Sequence, residues 1–124
     1  MPRHGHPSFA SLLAEQQELV TQVLNLYPAP REVLEAGAAV LRFAEREEQA
    51  FASVAPLLDP AVRQELAAEH RQFAEDLELL EWLIETTPDS PDVAVLTTSL
   101  IRRMRQHIER DGRLLSRAVD LARN

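Results

Sequence analysis

Cysteine is absent from this chain of 124 residues, and so is lysine. Without Cys there is no disulfide framework, no thiolate metal site and no cysteine nucleophile. Aromatic residues make up only 5% and there are three glycines, none of them in a phosphate-cradling loop. No run of 18 or more uncharged apolar residues occurs, which excludes a membrane-spanning helix. The start, Met1 to His6, lacks the apolar stretch of a secretory signal, so a cytoplasmic protein is expected. The net charge of −7 argues against binding to nucleic acid, which needs a basic surface. Hydrolase chemistry has no support either, because Ser8, Ser11, Ser53, Ser90, Ser99 and Ser116 stand in no activating context.

What is present is a chain 45% hydrophobic, enough for one domain and too short for two independent cores. Three proline-bearing segments break it: Tyr27 to Pro30, Ala55 to Pro60, and Thr86 to Pro91. Asp59 precedes Pro60 and Ser90 precedes Pro91, which sets a capping oxygen before a proline at the first helical position. Between the breaks the spacing predicts four helices, over about residues 8–26, 30–54, 60–86 and 91–122. No segment alternates with period two, so no strand is expected. Loops this short join antiparallel neighbours, and the predicted class is all-α, an up-down-up-down antiparallel four-helix bundle over residues 8–124. Residues 1–7, with His4 and His6, are expected to form a flexible tail. Charge is uneven: residues 91–124 carry seven Arg against four acids, and residues 1–90 carry six against sixteen. The last helix is expected to pair with the acidic helices of its own fold rather than with an acidic partner. Trp82 and Tyr27 read as packing residues at the rim, and Leu115 and Leu26 as exposed apolar positions that leave room for a dimer.

Each helix has a 4-3 apolar stripe, and each stripe is interrupted by something polar. The first runs Phe9, Leu12 or Leu13, Gln16, Val20, Val23; the second Val33, Gly37, Val40, Ala44, Glu47, Phe51, Val54. The third runs Val62, Leu66, His70, Phe73, Leu77, Leu80, Ile84. The fourth runs Val93, Thr97, Leu100, Met104, His107, Asp111, Leu114, Ala118, Leu121. At ~1.5 Å per residue, His70 and His107 both lie roughly 24 Å from the turn between their helices. Glu47 and His70 match in level to within ~3 Å, and Asp111 is one turn beyond His107 on the same face. Glu47, His70, His107 and Asp111 thus converge on one layer.

A carboxylate buried alone costs several kcal/mol or takes up a proton. No Arg lies on the stripes to compensate two of them. One iron, manganese or zinc ion held by two neutral imidazoles and two carboxylates brings the local charge to zero. Protonated histidines paired with Glu47 and Asp111 in a metal-free network answer the same problem, and both readings stand. Haem ligation by His70 and His107 is a third and weaker one.

The segment Phe43-Ala44-Glu45-Arg46-Glu47-Glu48-Gln49-Ala50-Phe51, then Glu69-His70, then His107-Ile108-Glu109-Arg110-Asp111 resembles the hemerythrin-like (HHE cation-binding) family. The resemblance covers nearly the whole chain and implies a four-helix bundle with a non-haem di-iron centre. It also implies a patterned loss of ligands. The family's first-helix His falls on Gln16, its second-helix His on Phe43, and its additional third-helix His on Ala74. Glu47, His70 and His107 match ligand positions, and Asp111 stands where a Glu is more usual. One iron's imidazoles are therefore missing, and a dinuclear centre is not expected. What remains is either a mononuclear site at Glu47, His70, His107 and Asp111, open to a small ligand such as dioxygen or nitric oxide, or a metal-free helical module for protein interaction or small-ligand binding. The resemblance leans away from catalytic turnover.

Overall fold

The computed structural model describes residues 9–27, 29–52 and 59–123, with the side chains of 121–123 outside the description. Four helices account for nearly all of it: α1 (Phe9–Leu24), α2 (Pro30–Ala52), α3 (Pro60–Thr86) and α4 (Pro91–Arg123). No strand occurs among the described residues. No helix there is long and apolar enough to cross a membrane. Residues 1–7 with His4 and His6, the stripe position Val54 and the side chain of Leu121 lie outside what is described.

The helix starts form as their caps dictate. Asp59 accepts a hydrogen bond from the Ala61 amide at 2.9 Å, with Pro60 opening α3. Ser90 Oγ accepts from the Asp92 amide at 3.2 Å ahead of α4. Each bond satisfies a donor that helix geometry leaves without a partner. α3 stops where the Thr87 amide donates to the Leu83 carbonyl at 2.7 Å, and a turn through Thr87 and Ser90 leads into α4.

α4 packs against each of the other three helices, and α2 does the same. Two close approaches are set by glycine. A Cβ on Gly37 would lie 2.5 Å from Leu77 Cδ2, so Leu77 packs directly on the bare backbone of α2. A Cβ on Gly112 would lie 2.8 Å from Gln16 Nε2, and α4 continues through this position without a break. Gly112 therefore marks the contact of α1 with α4.

The apolar side chains form two clusters rather than one. The larger includes Val23, Val33, Val40, Phe73, Leu80, Leu100, Met104 and Ile108. The smaller gathers Leu12, Phe43, Ala50, Phe51, Leu66, Leu115 and Ala118. Among these apolar side chains lie the buried or half-buried polar residues Gln16, Glu47, His70, His107 and Asp111. Leu115 is fully buried, contrary to its expected exposure, and Leu26 is half-buried. α4 is covered on several sides, so its buried arc is wider than a single 4-3 stripe and takes in Ile101, Ile108 and Leu115 as well. Trp82 and Tyr27 are corrected in the opposite sense. They are 57% and 71% exposed and take no place in either cluster.

Candidate metal centre

α2 contributes Glu47, α3 His70, and α4 both His107 and Asp111. One ligand atom from each of the four lies within 4.8 Å of all the others. His70 Nε2 faces His107 Nε2 at 3.0 Å, with the rings edge-on at 77°. His107 Nε2 lies 3.0 Å from Asp111 Oδ2, and His70 Nε2 lies 3.9 Å from Glu47 Oε1. Glu47 is fully buried and Asp111 nearly so. The imidazole contact leaves no slot for a porphyrin between the two rings.

The outer nitrogens of the two rings are engaged by carboxylates as well. His70 Nδ1 contacts Glu48 Oε1, and His107 Nδ1 lies 3.7 Å from Glu69 Oε2. Where the Nδ1 proton of a ring is directed at that carboxylate, its Nε2 turns a lone pair inward. His107 with its proton on Nε2 donates instead to Asp111 Oδ2 at 3.0 Å. Two lone pairs 3.0 Å apart repel unless a proton or a cation lies between them. Glu48 and Glu69 received no role from the sequence. The available signal was an acid next to each stripe residue: Glu48 beside Glu47, and Glu69 immediately before His70.

Electrostatics sharpen the problem. Both oxygens of Glu47 and Oδ1 of Asp111 are buried without a hydrogen-bond donor. No Arg is an ionic partner of either acid among the described residues. Arg103 pairs with Asp76 at 2.5 Å, and Arg110 pairs with Glu65 at 3.0 Å and with Glu69. Burial, reinforced by the neighbouring Asp111 and Glu48 carboxylates, pushes Glu47 up from 4.5 to about 10. Without a cation, Glu47 is therefore a neutral acid at pH 7 whose proton can turn toward Asp111. Burial pulls His107 down, but Asp111 and then Glu69 more than reverse this and its pKa is raised.

The donor set suits a divalent first-row ion. Two imidazole nitrogens and two carboxylates, three of whose oxygens are buried without a partner, supply four ligands and two negative charges. The positions where ligands were expected to be missing behave as hydrocarbon or spacer. Phe43 is buried in the smaller apolar cluster, and Ala74 is half-buried. Gln16 spends its amide N–H on the Ile108 carbonyl at 2.7 Å, tying α1 to α4.

A cavity of about 360 Å³ opens onto the imidazole side of the cluster. Its walls include His70 and His107 but neither Glu47 nor Asp111. No family model, no curated protein and no solved structure matches this chain.

Proposed function

We propose that this protein is a hemerythrin-like, up-down-up-down antiparallel four-helix bundle that holds one divalent transition metal, iron by resemblance, at Glu47, His70, His107 and Asp111. The antiparallel reading is supported by pairs whose positions run in opposite directions along neighbouring helices. Asp76 meets Arg103 while Glu69 meets Arg110, and Gly37 meets Leu77 while Glu47 approaches His70. The observation that carries the metal reading is the set of three carboxylate oxygens buried without a donor beside two inward-facing imidazole nitrogens. A metal there supplies Lewis acidity and, if redox-active, one-electron chemistry. The chain's own part is to aim both imidazoles inward through Glu48 and Glu69, and to exclude water with the apolar clusters. The resemblance brings dioxygen or nitric oxide as the small ligand and the cytoplasm as the setting. Reversible oxygen binding of the di-iron kind is not proposed, because Gln16 and Phe43 remove the second set of imidazoles.

One observation favours a metal-free helical module instead. A protonated Glu47 together with the His107–Asp111 contact at 3.0 Å closes the charge balance with protons alone. Metal analysis decides between the two. Protein expressed in medium supplemented with iron and manganese is expected to carry one equivalent of a transition metal. A content well below one equivalent overturns the metal reading.

A further inference from the structure

Trp82, the one tryptophan of the chain, is 57% exposed on α3, and Leu79 and Val95 are 45% and 68% exposed. Asp76 meets Arg103 and Glu69 meets Arg110 across the α3–α4 contact. In that register, about two turns beyond the first pair, the half-buried Leu83 and Leu96 fall opposite each other. Leu79 and Trp82 on α3 and Val95 on α4 lie within a turn of these two. The exposed side chains thus extend an apolar strip across two helices, where hydrocarbon stands in water.

Charge around this strip is of one sign. Residues 72–101 hold seven acids and no Arg. Glu75, Glu78, Glu81 and Glu85 are exposed, and none has an ionic partner among the described residues. Such a rim repels nucleic acid and the anionic lipid of a membrane surface. It also repels a second copy laid on the same face, because acid would meet acid. The Arg-rich stretch 102–117 of another copy brings charge but none of the large exposed hydrophobics. What complements the strip is hydrocarbon flanked by positive charge, and the open indole face adds a seat for a cation. No strand edge is present among the described residues to pair with an extended chain. A helix satisfies its own backbone and lays one apolar side along the groove between two others.

We propose that the α3–α4 face around Trp82 docks a basic amphipathic helix of a partner protein. The helix sets its apolar side on Leu79, Trp82 and Val95, and its Lys and Arg against the acids of α3. None of these residues belongs to the four-residue cluster, so the surface stands whether or not a metal is bound.

Trp82 is itself the probe, because its emission moves to shorter wavelength when water leaves the ring. The full chain is titrated with a Trp-free peptide of leucine and lysine, its leucines at helical spacing, and with the same peptide carrying glutamate for lysine. The expected result is a saturable blue shift with the lysine peptide and none with the glutamate peptide. Leu79→Gln combined with Val95→Gln leaves the charge unchanged and is expected to weaken binding about tenfold. Glu78→Arg combined with Glu85→Arg leaves the apolar strip unchanged and is expected to weaken it about as much. All four positions are exposed, so both variants should keep the helix content of the parent by circular dichroism. No shift with the lysine peptide, an equal shift with the glutamate peptide, or undiminished binding by either variant overturns the proposal. So does a blue shift that grows with protein concentration alone and accompanies dimers in sedimentation, which puts a second copy on this face.

Discussion

Leu80, Leu100 and Met104 in the larger apolar cluster are as deeply buried as Glu47 and Asp111 in the layer beside it. Depth is the same and the energetics are opposite. Each hydrocarbon side chain taken out of water contributes ~1.5–3 kcal/mol. Each carboxylate taken out of water costs several kcal/mol unless something answers its charge. The layer lies among two apolar clusters, one with Val40, Phe73 and Ile108 and the other with Phe43, Leu66 and Leu115, and Leu19 packs against both. Folding stability alone gives no reason for such an insertion, since apolar residues of similar volume in its place would serve it as well or better. The clusters account for folding, and the layer is where the proposed metal would bind.

The largest effect that separates the two regions is expected from Glu47→Gln combined with Asp111→Asn. Metal binding should fall below detection by elemental analysis, while the thermal midpoint of the metal-free protein stays or rises. A drop of the metal-free midpoint comparable to a core truncation would break the distinction. The pH response runs in a set direction. Folded Glu47 keeps its proton up to about 10 whereas the unfolded chain gives it up near 4.5. The stabilisation this brings to the metal-free protein is complete below the lower value and declines as pH rises toward the upper one. The raised pKa of His107 adds stability in the same sense, lost as pH rises through its folded value. Urea titrations at about pH 5, 7 and 9 should show this decline, and Glu47→Gln should flatten it. Metal loading reverses the dependence, because neutral imidazoles and ionised carboxylates are needed, and metal should be lost below about pH 6.

Next come truncations within the clusters. Leu80→Ala or Leu100→Ala in the larger, and Phe51→Ala in the smaller, should each cost ~2–5 kcal/mol by chemical denaturation. All three side chains are buried, and none belongs to the four-residue cluster. Metal stoichiometry of whatever folds should therefore stay at that of the parent. Loss of stoichiometry without loss of stability would put the layer's support in the clusters instead.

A smaller effect should fall on the outer carboxylates. Glu48→Gln is expected to weaken metal binding by ~10–100-fold in a competition titration with a chelator. Glu69→Gln should weaken it less, because Glu69 stands 3.7 Å from His107 Nδ1 and is shared with Arg110. Equal losses would mean that charge, not ring orientation, is what these residues supply.

Much of this was legible from residues alone, and the reasons differ by feature. α3 begins and ends where Asp59-Pro60 and Thr86 predict, because caps and prolines act locally. The described stripe positions of α2 are all buried, since a 4-3 period fixes the face. Helical rise alone brought Glu47, His70, His107 and Asp111 to one level, and the structure puts them together. Leu115 was misplaced because a single stripe underestimates the arc of a helix covered on several sides. Tyr27 and Trp82 were misplaced because an aromatic side chain at a helix end carries no signal of whether a neighbour reaches it. Glu48, Glu69 and the cavity were not legible. Each depends on the side-to-side placement of α2, α3 and α4, which periodicity along one helix does not encode.

The two glycines give the finest version of the comparison, because one sits in an apolar contact and the other at the edge of the polar layer. Alanine in place of either gains ~1 kcal/mol of helix propensity. At Gly37 the new methyl meets only the end of Leu77, at 2.5 Å from Cδ2, and that side chain can rotate away. At Gly112 it meets the Gln16 amide at 2.8 Å, and that amide is fixed by its hydrogen bond to the Ile108 carbonyl. Displacing it strands a buried donor at a cost of ~1–3 kcal/mol. Gly37→Ala should therefore shift stability by less than about 1 kcal/mol, and Gly112→Ala should lower it by ~1 kcal/mol. Gly112→Ala should also loosen α1 against α4, seen as faster amide exchange in residues 9–24. If Gly37→Ala proves the more costly of the two, then hydrocarbon packing is the stiffer constraint and the hydrogen bond of Gln16 is dispensable.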